Sequence, residues 1–188
     1  MTTPHIVAIG GTLRSDSSTA RALSAALDVA ARSGARTTLL TADAIDFPAF
    51  DPEAASDSPA IVRFVATIRS ADGILIGSPG YHGTLSGLVK NALDHVELTR
   101  DDARPYFDGL PVGIVATAAG WQAAVSTLQA LRTVVHALRG WPTPMGIAIN
   151  TVESGRDLTG AMPGIEIMVG QMLDFAQRRL PGGSAPSA

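Results

Sequence analysis

Two glycines, a run of hydroxyls and one guanidinium occupy consecutive positions near the start of the chain: Gly10-Gly11-Thr12-Leu13-Arg14-Ser15-Asp16-Ser17-Ser18-Thr19. An apolar stretch, Ile6-Val7-Ala8-Ile9, precedes them, and a segment with apolar residues at helical spacing follows. Flexible glycines, side-chain hydroxyls, Arg14 and the free N–H groups of a helix N-terminus together suit a phosphate. Neither Gly-x-Gly-x-x-Gly nor Gly-Lys-Ser/Thr is present, which disfavours a dinucleotide pyrophosphate or an Mg²⁺-bound triphosphate. A terminal phosphate held without metal fits better. The same Ser and Thr residues also serve as helix N-caps for purely local reasons.

A second run, Ser78-Pro79-Gly80-Tyr81-His82-Gly83-Thr84-Leu85-Ser86-Gly87, also leads from an apolar strand into a helical pattern. Proline and glycine hold such a backbone in an open shape that a planar ligand can approach, with Tyr81 and His82 placed to border a ring. A third run, Thr117-Ala118-Ala119-Gly120-Trp121, places small residues before a helix and leaves backbone N–H donors for a site where negative charge develops. Trp121 suits a core or subunit contact equally well. Lys90 and Asp94 form an i,i+4 pair, read as a solvated or interface ion pair. The four histidines, His5, His82, His95 and His136, lack metal-ligand spacing, and no Gly-x-Ser-x-Gly nucleophile elbow occurs. No metal site and no catalytic side chain are expected.

The elements that must position these runs alternate along the chain. Strands are expected at 6–9, 36–40, 73–77, 111–116 and 145–149. Helices are expected at 18–33, 59–70, 84–96, 121–138 and 165–178. The strands are apolar nearly throughout, as strands covered on both faces are. Five strands alternating with five helices predict an α/β protein, a three-layer sandwich around a parallel sheet with right-handed crossovers. A sheet of this kind commonly has order 2-1-3-4-5, and its ligand lies outside the carboxyl ends of the strands, beside the switch point between strands 1 and 3. The three runs converge there. Residues 1–180 are expected to form one domain and the Pro/Gly/Ser-rich 181–188 a flexible tail. The Pro- and Asp-rich connection 43–58 has the length of a functional or interface loop.

Composition narrows the classes further. The chain has 188 residues, a net charge of −3 and no cysteine, so disulfide, thiolate and iron–sulfur chemistry are excluded. A pI of about 5.7 and 5% aromatic content oppose nucleic-acid binding and base stacking. No signal-peptide pattern and no apolar run of membrane-spanning length are present, which gives an expectation of a soluble cytoplasmic protein.

The residues Gly11-Thr12-Leu13-Arg14 with Ser17, Phe47-Pro48, Phe50-Asp51 and the run from Ser78 to Asp94 resemble the NADPH-dependent FMN reductase family. The resemblance spans roughly residues 5–150 and implies a flavodoxin-like fold. It implies an FMN-phosphate loop at Thr12, Arg14, Ser17, Ser18 and Thr19. It places Pro79, Gly80, Tyr81, His82 and Gly83 along the flavin ribityl and ring, and Thr117, Ala118, Ala119 and Gly120 at the pyrimidine edge. Many members carry Glu at Gly80 and Asn at His82. The Gly-Tyr-His form looks like the flavin- and sulfonate-pathway branches rather than the quinone or azo-dye branches.

The activity so implied is an NAD(P)H-dependent FMN reductase, passing hydride from NADPH or NADH to FMN and supplying reduced FMN to a partner monooxygenase. The alternatives are a quinone or azo-compound reductase with tightly bound FMN, a flavodoxin-type electron carrier, and a non-flavin α/β domain. Family members form homodimers or homotetramers with the flavin near the interface; Phe47, Phe50, Trp121 and the Met-bearing last helix are candidate interface residues.

Overall fold

The computed structural model describes residues 3–53 and 58–179. The proposed tail at 181–188 and part of the 43–58 connection lie outside the described residues. Three strands form the centre: β1 (His5–Gly10), β3 (Gly73–Tyr81) and β5 (Pro111–Ala118). They run parallel, with β2 (Arg36–Leu40) outside β1. Beyond β5, β6 (Trp141–Pro142) and β7 (Ile147–Asn150) share one edge. A two-residue strand β4 (Thr84–Leu85) pairs antiparallel with the end of β3. The expected order 2-1-3-4-5 is therefore realised, with its fifth position split in two. Pro142 and Pro144 cannot donate to a ladder, and the segment 143–146 bulges between β6 and β7. Arg132 holds the bulge from the helix behind it, donating to the carbonyls of Thr143 and Pro144, each at 3.1 Å.

The apolar strands bury both faces. Val7, Ile9, Ile74, Ile76 and Ile114 face one layer, built from α2 (Pro59–Arg69), α3 (Gly87–Asp94) and α4 (Trp121–Ala137). Ile6, Ala8, Leu75 and Val115 face the other, built from α1 (Ser18–Arg32) and α6 (Met162–Arg179). A short α5 (Thr151–Ser154) precedes α6. Alternate side chains of a strand point to opposite faces, so a strand between two helical layers needs no polar positions. Ala22, Ala26 and Ala30 let α1 lie close to the sheet, and Leu23 fills the space left by Gly77.

Several candidate interface residues belong instead to this chain's own interior. Phe47 is 7% exposed and stacks edge-on to Phe64, and Met168 and Met172 are fully covered by the sheet. Phe50 packs on His95. Asn91 ties down the loop that carries these aromatics: its Oδ1 accepts from the Phe50 N–H, and its Nδ2 donates to the carbonyls of Phe47 and Pro48. The Lys90–Asp94 pair forms at 2.6 Å on the exposed face of α3. No helix among the described residues is long and apolar enough to cross a membrane.

His5 opens β1 at 2% exposure, with Nε2 2.8 Å from Thr38 Oγ1 and Nδ1 3.2 Å from the Ser70 carbonyl. Burial holds its imidazole below the ordinary value of 6.5. Below that pH the unfolded chain takes up a proton that the folded chain refuses, so stability is full above 6.5 and falls as pH drops through it. Urea unfolding on either side of this pH should show the loss in the native chain and a smaller loss in His5→Gln. Equal slopes in both would remove His5 as the cause.

Candidate active site

The loops leaving the carboxyl ends of β1, β3, β5 and β7 meet along one edge of the sheet. Gly10 starts the first. Its N-terminal strand lies so close to β3 that a Cβ on Gly10 would sit 1.8 Å from the Gly77 carbonyl oxygen, and its φ is 140°. The Gly11 N–H donates to that same oxygen at 3.1 Å. The chain thus leaves the sheet in a direction only glycine allows, and turns straight into the hydroxyl-rich segment.

That segment is ordered by its own side chains. Thr12 Oγ1 accepts from the Arg14 N–H at 3.0 Å. Ser17 caps α1, its Oγ accepting from the Ala20 N–H at 3.2 Å. The N–H groups of Ser18 and Thr19 meet no acceptor among the described residues. Thr19 Oγ1 lies 2.6 Å from Thr117 Oγ1, and both residues are buried, so the first loop is fastened to the third. Ser18 Oγ accepts from Arg21 at 3.4 Å, and Arg21 also donates to the Asp16 carbonyl.

The second run differs from its expected form. β3 does not stop at Gly77 but continues through Tyr81, and the chain returns as β4. The turn is His82-Gly83, with φ 50° and 91°. Positive φ at both central residues is the signature of the tight hairpin turn that matches strand twist. Helix α3 begins at Gly87 rather than Thr84, because Ser86 caps it, accepting from the Val89 N–H at 3.3 Å, and a 3-10 turn over His95–Thr99 replaces its expected last residues. Gly80 faces α4: a Cβ there would lie 2.6 Å from Thr127 Oγ1 and 3.0 Å from the Ala123 carbonyl. A side chain at this position has no room without moving α4.

The third run is also longer as strand, since β5 reaches Ala118. The Gly120 N–H is not free as expected. It donates to Asn150 Oδ1 at 2.9 Å and to the Ala118 carbonyl at 3.1 Å. Asn150 ends β7, and the same Oδ1 caps α5 through the Val152 N–H.

Together these loops enclose a cavity of about 780 Å³, within the range of small-molecule sites. Its walls are residues 11–14, 16–19 and 21 of the first loop and α1, 79–81 and 86–88 of the hairpin side, 117–119 of the third loop, and Thr151 and Arg156. The structure therefore brings Thr12, Arg14, Ser17, Ser18 and Thr19 together with Pro79, Gly80, Tyr81, Thr117, Ala118 and Ala119. His82, Gly83 and Gly120 lie outside the lining; His82 and Gly83 form the exposed tip of the hairpin.

Charge is concentrated at one end. Arg14, Arg21 and Arg156 share it with a single carboxylate, Asp16. Asp16 Oδ2 is 2.8 Å from Arg156 and Oδ1 is 3.5 Å from Arg14. The Arg156 hydrogen bond, followed by the Arg14 charge, holds the Asp16 carboxyl below the ordinary carboxylate range. The rest of the lining carries no charged side chain and includes Pro79, Gly80, Tyr81, Leu88, Ala118 and Ala119. An elongated ligand with one anionic end and one flat, weakly polar end fits this division. Arg21 and Arg156 were not among the residues singled out from sequence. Arg21 stands one turn from Ser18 on α1, a spacing that was readable. Arg156 follows the last strand, so extending the strand-end rule to a fourth loop would have found it.

Comparison with known proteins gives the same direction. The family model described as NADPH-dependent FMN reductase matches residues 4–153. An FMN-dependent NADPH-azoreductase from Staphylococcus saprophyticus is 41% identical over 85 residues, which is 45% of this chain and 42% of the relative. The chain thus matches less than half the length of that relative. Among solved structures, the flavoenzyme NAD(P)H:(acceptor) oxidoreductase FerB from Paracoccus denitrificans superposes with a TM-score of 0.74 at 22% identity, covering 94% of this chain and 98% of that one. A WrbA-like flavodoxin from Agrobacterium tumefaciens gives 0.62 at 14% identity, covering 95% of this chain and 100% of that one. The fold is flavodoxin-like.

Proposed function

The chain belongs to the NADPH-dependent FMN reductase family, and from that premise we propose that it binds FMN in this cavity and oxidises NAD(P)H. The observation that carries the reading is the charge balance of the anionic end: three guanidiniums against one carboxylate, beside the unpartnered amides of Ser18 and Thr19. That excess matches a phosphate monoester, which is close to a dianion at neutral pH. Bound there, the flavin would supply two-electron chemistry with a nicotinamide as donor.

The chain's own residues bind, orient and enclose. Arg14 and the first turn of α1 take the phosphate. The backbone of Pro79-Gly80 and the Tyr81 ring form one wall for the ring system. Ala118 and Ala119, with no side chains beyond Cβ, let the ligand approach the end of β5. The Thr19–Thr117 hydrogen bond fixes the distance between the anionic and the flat ends. Positioning two planar rings calls for no protonating side chain, because the cofactor would carry the chemistry.

The likeness to an azoreductase favours a second acceptor, an azo compound reduced while FMN stays on the protein. The other fate is release of reduced FMN to a flavin-dependent monooxygenase. Gel filtration after turnover separates the two: flavin eluting with the protein supports the first, free flavin the second. Steady-state oxidation of NADH and NADPH with FMN, FAD, a quinone and an azo dye tests the activity. A protein that neither gains thermal stability with FMN nor oxidises either nucleotide would overturn the reading. Exposed Trp121 and Val125, one turn apart on α4, support a homodimer or homotetramer meeting near the cavity mouth. Dependence on a diffusible NAD(P)H donor supports a cytoplasmic location.

Arg14→Ala should weaken FMN by about tenfold, the size of one charge-assisted hydrogen bond. Riboflavin, which lacks the phosphate, should bind as before. Isothermal titration with both ligands checks this, and equal losses would refute the role given to Arg14.

A further inference from the structure

We infer that Arg156 is a specificity-determining residue, a guanidinium brought from beyond β7 to the anionic end of the cavity, where it selects a phosphate-bearing ligand over its uncharged counterpart. The inference rests on the flavin reading above and adds a residue outside the stretch 4–153 that the family shares.

Local structure aims the side chain there. Asn150 ends β7 and caps the four-residue helix α5. Gly155 closes that helix with φ 57° and ψ −116°, a conformation that favours glycine. Nothing lies within 4 Å of where its Cβ would be, so the glycine serves the turn and not a tight contact. The turn sends Arg156 back over the sheet edge, where its Nη2 meets Asp16 Oδ2 at 2.8 Å across 140 residues of sequence.

The pairing does little for the fold. The Arg156 side chain is 70% exposed and that of Asp16 is 55% exposed, and ion pairs in such settings contribute little to stability. Its consequence is electrostatic and local. Without Arg156, Asp16 would cancel one of the two remaining arginines and leave a single excess positive charge facing a dianion. With it, the excess is two. The Asp16 carboxylate also holds the guanidinium at the cavity wall through Nη2, and the guanidinium carries further N–H donors beyond the one spent on Asp16.

A simpler role is that Arg156 only neutralises Asp16. The two roles separate in a double-variant series on the full chain. FMN and riboflavin dissociation constants are measured by quenching of flavin fluorescence for the native protein, Arg156→Gln, Asp16→Asn and the double variant. The expected result is a fall of about tenfold in the FMN-to-riboflavin preference on losing Arg156, of similar size in the Asp16→Asn background. The salt dependence of FMN binding should weaken in parallel. An unchanged preference in Arg156→Gln overturns the inference. So does a double variant that binds FMN as well as Asp16→Asn alone, because Arg156 would then act only as a counter-charge. Native protein that binds FMN while Arg156→Gln shows no change defeats this inference alone; native protein that binds neither flavin defeats the flavin reading and this inference with it.

Discussion

Gly10→Ala is expected to destroy the native sheet, whereas Gly170→Ala is expected to strengthen the protein. At Gly10 the added Cβ would lie 1.8 Å from the Gly77 carbonyl oxygen and 2.7 Å from its carbon, both backbone atoms that no rotamer change can move. Relief requires β1 and β3 to part at their carboxyl ends. That would break the Gly11–Gly77 hydrogen bond and open a core in which Ile9 and Ile76 are fully buried. The φ of 140° adds backbone strain for any other residue. A loss of more than about 4 kcal/mol follows, the range reserved for overpacked, strained core sites. Gly170 is exposed within α6 and has nothing within 4 Å of its Cβ position, so alanine there should gain about 0.5–1 kcal/mol. Circular dichroism melts of both variants check the contrast. A Gly10→Ala protein melting within a few degrees of the native one would show that β1 and β3 can part here at little cost.

The second large effect is a separation of stability from binding. Ser18→Glu places a carboxylate on the first residue of α1, where the helix dipole welcomes it by about 0.3–1 kcal/mol. The melting temperature should therefore hold or rise. FMN binding should collapse, because the same carboxylate would stand beside the proposed phosphate. At a separation of about 5 Å and an effective dielectric of about 40, a single charge against a dianion costs about 3 kcal/mol, or about 100-fold. Riboflavin should lose far less. Melts and titrations on one preparation decide it: FMN binding that survives the substitution would move the phosphate away from α1.

The two substitutions probe features that the sequence alone makes legible. The strand β1 was readable because both its faces are covered, so Ile6 to Ile9 show no polar interruption. The phosphate-like loop was readable because glycines, hydroxyls and Arg14 are adjacent in sequence. The hairpin was not. Pro79 and Gly80 are local turn signals, yet pairing of Gly80 with Leu85 and of Tyr81 with Thr84 carries the strand past them. Phe47, Met168 and Met172 show the same limit. A large apolar residue suits an interface and a core equally until the sheet that covers it is known. The place of Arg156 on a fourth strand-end loop is readable, but its pairing with Asp16, 140 residues earlier, is not.

The break between β6 and β7 also governs how copies of this chain can meet. An open strand edge is a template on which another strand can add, the usual start of sheet-extended aggregates. Between β6 and β7 the edge offers no such row. Proline removes the N–H at 144, the Thr143 N–H is spent on the Val112 carbonyl, and the Met145 N–H on Gln171 Oε1. The carbonyls of Thr143 and Pro144 accept from Arg132, and that of Met145 from Thr143 Oγ1. Every main-chain polar group from 143 to 145 is thus satisfied within the molecule. A strand from a second copy therefore meets no free main-chain donor between β6 and β7, so this edge is interrupted as a template for sheet extension.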